Sequence, residues 1–310
     1  MADASPPTAV EQEPAPAAID AVPLRHPWRW VTAAVIIVAL ALFIYGAGTN
    51  EAYRWDTYGK YLFDQRISQA AWNTLQLTIY SMVLALILGV ALAVMRLSPN
   101  PVLKAVSWLY LWIFRGTPVY VQLVLWGLVP VIYKNIQLGV PFGPTFFKFS
   151  LSEPNFFMLA VLGLGLNEAA YMAEIIRAGI SSVPEGQSEA STALGMSWWM
   201  TMRRTVLPQA MRVIIPPTGN EFISMLKTTS LVTAVPYSFE LYGRSKDIGV
   251  ALFQPIPLLL VASTWYLAVT SVLMVGQYYL ERYYARGASR KLTSKQLETL
   301  AKAQMGEPHP

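Results

Sequence analysis

Polar and charged side chains inside apolar runs are the residues of this chain most able to do chemistry. Asn167, Glu168, Tyr171 and Glu174 lie within the apolar stretch 156–178, Glu221 and Lys227 lie within 211–235, and Arg115 interrupts a third stretch. A charge at the centre of a bilayer costs about 2.5–3.5 kcal/mol, so such a residue faces a cavity or a partner. Asn167, Tyr171 and Glu174 are spaced by four and three, which puts them on one helix face and marks a lining for a pathway. A cation that leaves water needs an acceptor. Asn167 offers an amide oxygen and Glu168 a carboxylate. The two are adjacent, about 100° apart around a helix, so the stripe favours Asn167. Glu168 then faces the cavity or pairs elsewhere, with Lys227 or another chain. Glu174 and Arg177 are three apart and can pair structurally. Arg115 can anchor a helix end at the headgroups by snorkelling.

Other chemistry is excluded. The chain has no cysteine, so thiolate nucleophiles, iron–sulfur clusters and disulfides are ruled out. Its two histidines, His26 and His309, sit near the chain ends, which speaks against a histidine metal site or a Ser-His-Asp triad. There is no phosphate-binding loop: Gly59-Lys60 is followed by Tyr61 and lacks the preceding glycine, and Gly163-Leu164-Gly165 lies in an apolar run, where close helix packing is its use.

These residues must be positioned by membrane-spanning helices. Of the 310 residues 54% are hydrophobic and only 13% are charged, against roughly 25% in soluble proteins. The expected class is all-α and polytopic. Charge-free or nearly charge-free runs predict six spans: 30–48, the second half of 67–95, about 117–134, 156–178, 211–235 and one within 248–280. The Arg115-Gly116-Thr117-Pro118 insert predicts a kink or a break into two pieces. Residues 1–27, rich in Ala and Pro, read as a disordered tail, and 286–310 as a basic tail. The N-terminal tail, 96–104, 177–212 and the C-terminal segment carry about twice the Lys and Arg of the loops at 49–66, 134–148 and 244–246. That bias predicts both termini in the cytoplasm. It also accounts for the net charge of +5 through membrane topology, without nucleic acid.

The hydrophilic stretch 179–210 needs more than a generic membrane reading. Ser188–Leu194 is a short run of small residues ended by Gly195, a natural left-handed cap. Ser197 can cap a second short helix, 198–205, which Leu207-Pro208 should end. The helix pair has a small-residue face, two tryptophans and two arginines. By physics alone it either rests on lipid or docks into a partner protein. Intramembrane carboxylates likewise leave an ion-coupled secondary transporter or channel open as a second class.

The motifs point one way. Glu189-Ala190-Ser191, Gly195 and Leu207-Pro208 resemble the Glu-Ala-Ala loop of permease subunits in binding-protein-dependent ABC importers. Arg115-Gly116-Thr117-Pro118, Ala170-Tyr171-Met172-Ala173-Glu174-Ile175, Arg177-Ala178-Gly179-Ile180, Gly186-Gln187, Leu207-Pro208-Gln209-Ala210 and Leu226-Lys227-Thr228-Thr229-Ser230-Leu231 resemble the polar amino-acid branch. Ser191 departs from the usual second alanine. The resemblance covers about 68–285 and implies a five-helix permease core with 181–208 as coupling loop, leaving 28–50 as an additional transmembrane helix. It implies that Gly186, Gln187, Glu189, Ala190, Gly195, Leu207 and Pro208 meet a partner ATPase, and that Thr117 joins Asn167, Glu168, Tyr171 and Glu174 on the pathway. It further implies a second permease subunit, identical or homologous, two cytoplasmic ATPase subunits holding ATP and magnesium, and an extracytoplasmic amino-acid-binding protein. The expected setting is a prokaryotic cytoplasmic membrane, with lipid around the chain and no cofactor of its own.

Overall fold

A computed structural model describes residues 27–140, 143–151 and 153–284. The expected tails at 1–27 and 286–310 lie outside these residues, apart from Pro27. The chain divides into two units, Met1–Glu51 and Ala52–Pro310. In the first, α1 (Pro27–Thr49) carries no charge after Arg29 in its first turn. Trp28 and Trp30 stand near its start, the amphipathic rings that favour a headgroup region.

The second unit is built on helices. In chain order they are α2 (Trp55–Leu62), α3 (Gln65–Leu97), α4 (Pro101–Gly116), α5 (Val119–Ile132), α6 (Phe156–Ser181), α7 (Glu185–Ala193), α8 (Trp198–Thr201), α9 (Leu207–Thr228), α10 (Leu241–Ala251) and α11 (Pro255–Tyr284). Their starts follow local chemistry. Asp64 accepts from the Arg66 N–H at 2.9 Å to begin α3, and the Arg66 guanidinium beside it holds its carboxyl below the usual range. Asn100 caps α4 with Pro101 at its first turn, and Asn155 caps α6.

Helices α3 and α6 form the central pair. At Gly89 on α3 an added Cβ would come within 2.7 Å of the Met172 Cβ, and at Gly165 on α6 within 2.7 Å of a Leu84 methyl. The bare backbones let the two helices touch, as small residues do in membranes. Gly163 abuts Leu123 and Trp126 of α5, so both glycines of the Gly-x-Gly pair serve packing. Leu77, Met82, Leu92, Leu164, Met172 and Met225 fill the core around this pair.

Among the described residues four helices, α1, α3, α6 and α11, are long and apolar enough to cross a bilayer, and α4 with α5 forms a fifth candidate bent by 102°. Several expected boundaries change. The second span is one unbroken helix of 33 residues, longer than its apolar second half suggested. The third follows the break expected at 115–118: α5 fills 119–132 of the expected 117–134, and with α4 before the break it forms the bent pair. The fifth is α9 followed by a 3₁₀ segment, Thr229–Ala234. Its prolines and charges keep it below the apolarity of the others. The sixth is α11, with α10 a separate helix before it. The expected 134–148 loop holds an antiparallel hairpin of β1 (Asn135–Gly139) and β2 (Thr145–Ser150).

Candidate functional site

Two clusters of the expected residues are assembled, one at the α4–α5 break and one at the 181–208 loop. At the break the cause is Pro118. It has no N–H to donate to the Phe114 carbonyl one turn back, and it disfavours helical geometry at Thr117. Thr117 is extended, at φ −120° and ψ 144°. Side chains satisfy the freed carbonyl. The Phe114 oxygen accepts from Gln122 Nε2 at 3.0 Å and from Asn167 Nδ2 at 2.9 Å. Asn167 Nδ2 also donates to Gln122 Oε1 at 3.1 Å, and Gln122 Nε2 to Thr117 Oγ1 at 2.7 Å. A cavity of about 360 Å³ opens on the inner side of the bend against Phe114, Thr117, Gln122 and Trp126. Gln122 was not singled out from the sequence. The signal was there: an amide four residues after a helix-breaking proline.

Glu168 is buried, at 8% exposure, and its Oε1 has no hydrogen-bond partner. The charged group that bears on it is another carboxylate, Glu221 of α9. Lys227 is exposed, so the Glu168–Lys227 pair is not formed: the lysine is six residues past Glu221 on α9 and points elsewhere. Both side chains thus keep an acceptor: the Asn167 hydrogen bonds come from Nδ2, and the Glu168 Oε1 has no partner. Tyr171 lies under the Arg115 guanidinium, 5.4 Å from ring centre to carbon. Glu174 accepts from Arg177 at 2.6 and 3.0 Å, the structural pair read from their spacing.

In the loop, α7 ends as a Schellman motif. The Met196 N–H reaches the Ser191 carbonyl at 3.1 Å and the Gly195 N–H reaches Thr192 at 2.9 Å. Gly195 takes φ +76°, and a Cβ there would meet nothing within 4 Å, so only the backbone angle calls for glycine. Ser197 caps α8 through the Met200 N–H. Leu207-Pro208 does not end the helix. The chain runs on through a π segment, Met202–Val206, into α9. The wide turn absorbs the hydrogen bond that Pro208 cannot donate, which a sequence-based stop rule misses. Ser191 is buried and shares a 2.9 Å hydrogen bond with Thr205 Oγ1, so the departure from alanine ties α7 to the π segment. Gly186, Gln187, Glu189, Ala190, Gly195 and Pro208 are all exposed, Leu207 is half-buried, and Leu194, Trp198 and Trp199 are 82%, 71% and 64% exposed. The tryptophans also border an apolar cavity of about 790 Å³ with α3, α6 and α9.

At the far end, Glu240 is fully buried and caps α10. It accepts from the N–H groups of Tyr242 (2.8 Å) and Gly243 and from the Tyr266 hydroxyl (3.1 Å). Burial pushes its carboxyl up to about 7, against the pull of those donors. Sequence reading passed over it, because its burial depends on α11 packing beside it.

Comparison with known proteins identifies the family and the fold. Residues 81–286 match the family of binding-protein-dependent transport system inner membrane components. The chain is 64% identical over 289 residues to the arginine transport system permease protein ArgU of Corynebacterium glutamicum, covering 93% of this chain and 90% of that one. It is 37% identical over 205 residues to the histidine/lysine/arginine/ornithine transport system permease protein HisM of Escherichia coli K12, covering 65% and 81%. A crystal structure of an amino acid ABC transporter with histidines superposes at a TM-score of 0.59 with 30% identity, over 70% of this chain and 94% of that one. An inward-facing structure of the MetNI methionine ABC transporter, 17% identical, shares the fold at a TM-score of 0.53. The chain therefore belongs to the inner membrane components of binding-protein-dependent transport systems: it is a multi-pass permease subunit of an ABC importer, and the ATP that drives transport is hydrolysed by another chain.

Proposed function

We propose that this permease carries amino acids with a cationic side chain and that Glu168 meets the cation. The observation that carries the reading is the buried Glu168 oxygen without a partner, one residue from the amide that holds the α4–α5 break. Broken helices near mid-depth are where transporters place solutes. The side chain counts as an acceptor left open for a cation that has given up its water. The arginine permease at 64% identity and the permease for histidine, lysine, arginine and ornithine support this solute class. Thr117, Asn167, Tyr171 and Glu174 border the same path, with Gln122 holding the break.

The family supports the following set of partners. A second permease subunit, identical or homologous, completes the pathway, two cytoplasmic ATPases bind ATP and magnesium, and an extracytoplasmic amino-acid-binding protein delivers the solute. Gly186, Gln187, Glu189, Ala190 and Gly195 meet the ATPase, supported by their exposure on α7 and its turn, and Leu207-Pro208 steers the return into α9. Closure of the ATPases moves this segment and converts hydrolysis into alternating access. Residues 68–285 form the transport core, and 28–50 is additional to it. The Lys and Arg bias supports both termini lying in the cytoplasm. A reporter active only outside the cytoplasm, fused after Pro310, will be silent; a strong signal would invert the topology.

The solute reading is tested by labelled uptake in wild type and Glu168→Gln. Uptake of arginine and lysine should fall at least about tenfold more than that of neutral amino acids, the size of one charge-assisted hydrogen bond. Equal loss for all solutes would assign Glu168 to assembly instead.

A further inference from the structure

Beside the break, toward the coupling loop, lies a second cavity of about 310 Å³, bordered by Arg96 at the end of α3, Trp108, Trp112 and Arg115 of α4, and Glu174 of α6. Its charge balance is one-sided. Glu174 is engaged by Arg177 outside the lining. Among the described residues the ion pairs are Asp64–Arg66 and Glu174–Arg177, so neither Arg96 nor Arg115 has a carboxylate within ion-pair distance. Arg115 rests on the Tyr171 ring instead. A ring face gives a guanidinium about 0.5–2 kcal/mol and leaves its fork of N–H donors unused.

The position of Arg115 matters as much as its charge. It is the residue after Phe114, whose carbonyl binds Asn167 in mid-helix α6. It is thus held at the depth of the break, where a lone guanidinium is costly unless it faces water or an anion. The α4 C-terminus offsets part of that charge through its carbonyl ends, but it offers no bidentate partner. On α6, Tyr171 follows Glu168 by three residues, a rise of about 4.5 Å. The free acceptor is thus one helical turn from Tyr171, and the free donor fork lies over the Tyr171 ring at 5.4 Å.

We propose that this cavity receives the α-carboxylate of the solute, with Arg115 as the receiving group. Arg115 takes the carboxylate bidentately while Glu168 takes the cationic end, and the stacked Trp108–Trp112 pair, 6.1 Å apart, walls the cavity. A solute lacking the carboxylate leaves Arg115 unpaired and is discriminated against. The proposal rests on the reading that Glu168 meets a cationic solute. The same donors could hold a lipid phosphate, and the test separates the two.

The experiment measures labelled arginine binding to the purified permease–ATPase complex, free of binding protein, with unlabelled arginine and decarboxylated arginine as competitors. In wild type the decarboxylated compound should compete about tenfold or more worse than arginine. In Arg115→Gln arginine should weaken by about that factor, the decarboxylated compound should not move, and their ratio should approach one. Arg115→Lys, which keeps the charge but not the fork, should fall between and serves if the glutamine variant does not assemble. A ratio unchanged in both variants, or an equal weakening of both compounds, overturns the proposal. So does loss of copurifying anionic phospholipid with the ratio intact, which assigns the cavity to a headgroup. Glu168→Gln read in the same assay keeps the two claims apart: it should weaken both competitors alike, and no effect there sinks the solute reading together with this one.

Discussion

Glu168 and Glu240 are both buried glutamates, and the fold treats them oppositely. Glu240 has two backbone N–H groups and the Tyr266 hydroxyl around it, whereas Glu168 has an oxygen with no donor at all. A carboxylate provided for in this way is structural, and its titration is felt as stability. Burial raises Glu240 from an ordinary 4.5 to about 7, with Asp247 adding to the rise. The folded state then holds the proton more tightly than the unfolded chain. Between 4.5 and about 7 it carries more protons, so stability falls as pH rises through that window and is lowest above it. The full effect is at most roughly 3 kcal/mol. Thermal unfolding of the purified complex at pH 5.5 and pH 8 should show a pH difference in wild type that shrinks in Glu240→Gln. The same difference in both proteins would remove Glu240 from the account.

At the scale of elements, two turns position the chemistry, and both depend on backbone rather than on side-chain size. The α4–α5 break was legible, because Gly116-Thr117-Pro118 in an apolar run leaves few ways to continue a helix. The side chains that satisfy it were less so, since Gln122 and Asn167 meet only once α5 and α6 are packed. The Gly195 turn was legible for a local reason: a short run of small residues ending in glycine. The run-on from α8 into α9 was not, because a π turn can absorb a proline and no residue pattern announces it. Gly195 supplies the prediction at this scale. Its φ of +76° costs other residues about 1–2 kcal/mol, least for asparagine. Gly195→Asn should retain most ATP-driven uptake and Gly195→Val should lose it, with both chains present in the membrane at wild-type amounts. Equal uptake by the valine variant would show that the turn does not matter for coupling.

For the molecule as a whole, the helical class was open to reading because lipid as solvent admits only helices or closed barrels, whereas the count was not: six spans were expected, and four helices plus one bent pair qualify among the described residues. What composition could not give is which spans are continuous. Helix α9 carries Pro216, Pro217, Glu221 and Lys227 yet runs unbroken from Leu207 to Thr228, steadied by Gln277 of α11, which donates to the Pro216 carbonyl at 2.8 Å. The hairpin at 135–150 also escaped, being short and next to the broken span. In the proposed cycle a partner's ATP hydrolysis enters at the 185–206 segment, just past the C-terminal end of α6, and moves a solute past Glu168 in the middle of that helix. The most direct measurement of this central claim is arginine uptake and ATP hydrolysis recorded together in proteoliposomes bearing the whole complex, wild type against Glu189→Lys. Wild type should show vanadate-sensitive uptake that an ionophore leaves intact. Glu189→Lys should bind the ATPase more weakly and lose uptake while the chain stays in the membrane. Normal uptake by Glu189→Lys, or wild-type uptake that an ionophore abolishes and ATP depletion spares, would contradict the account.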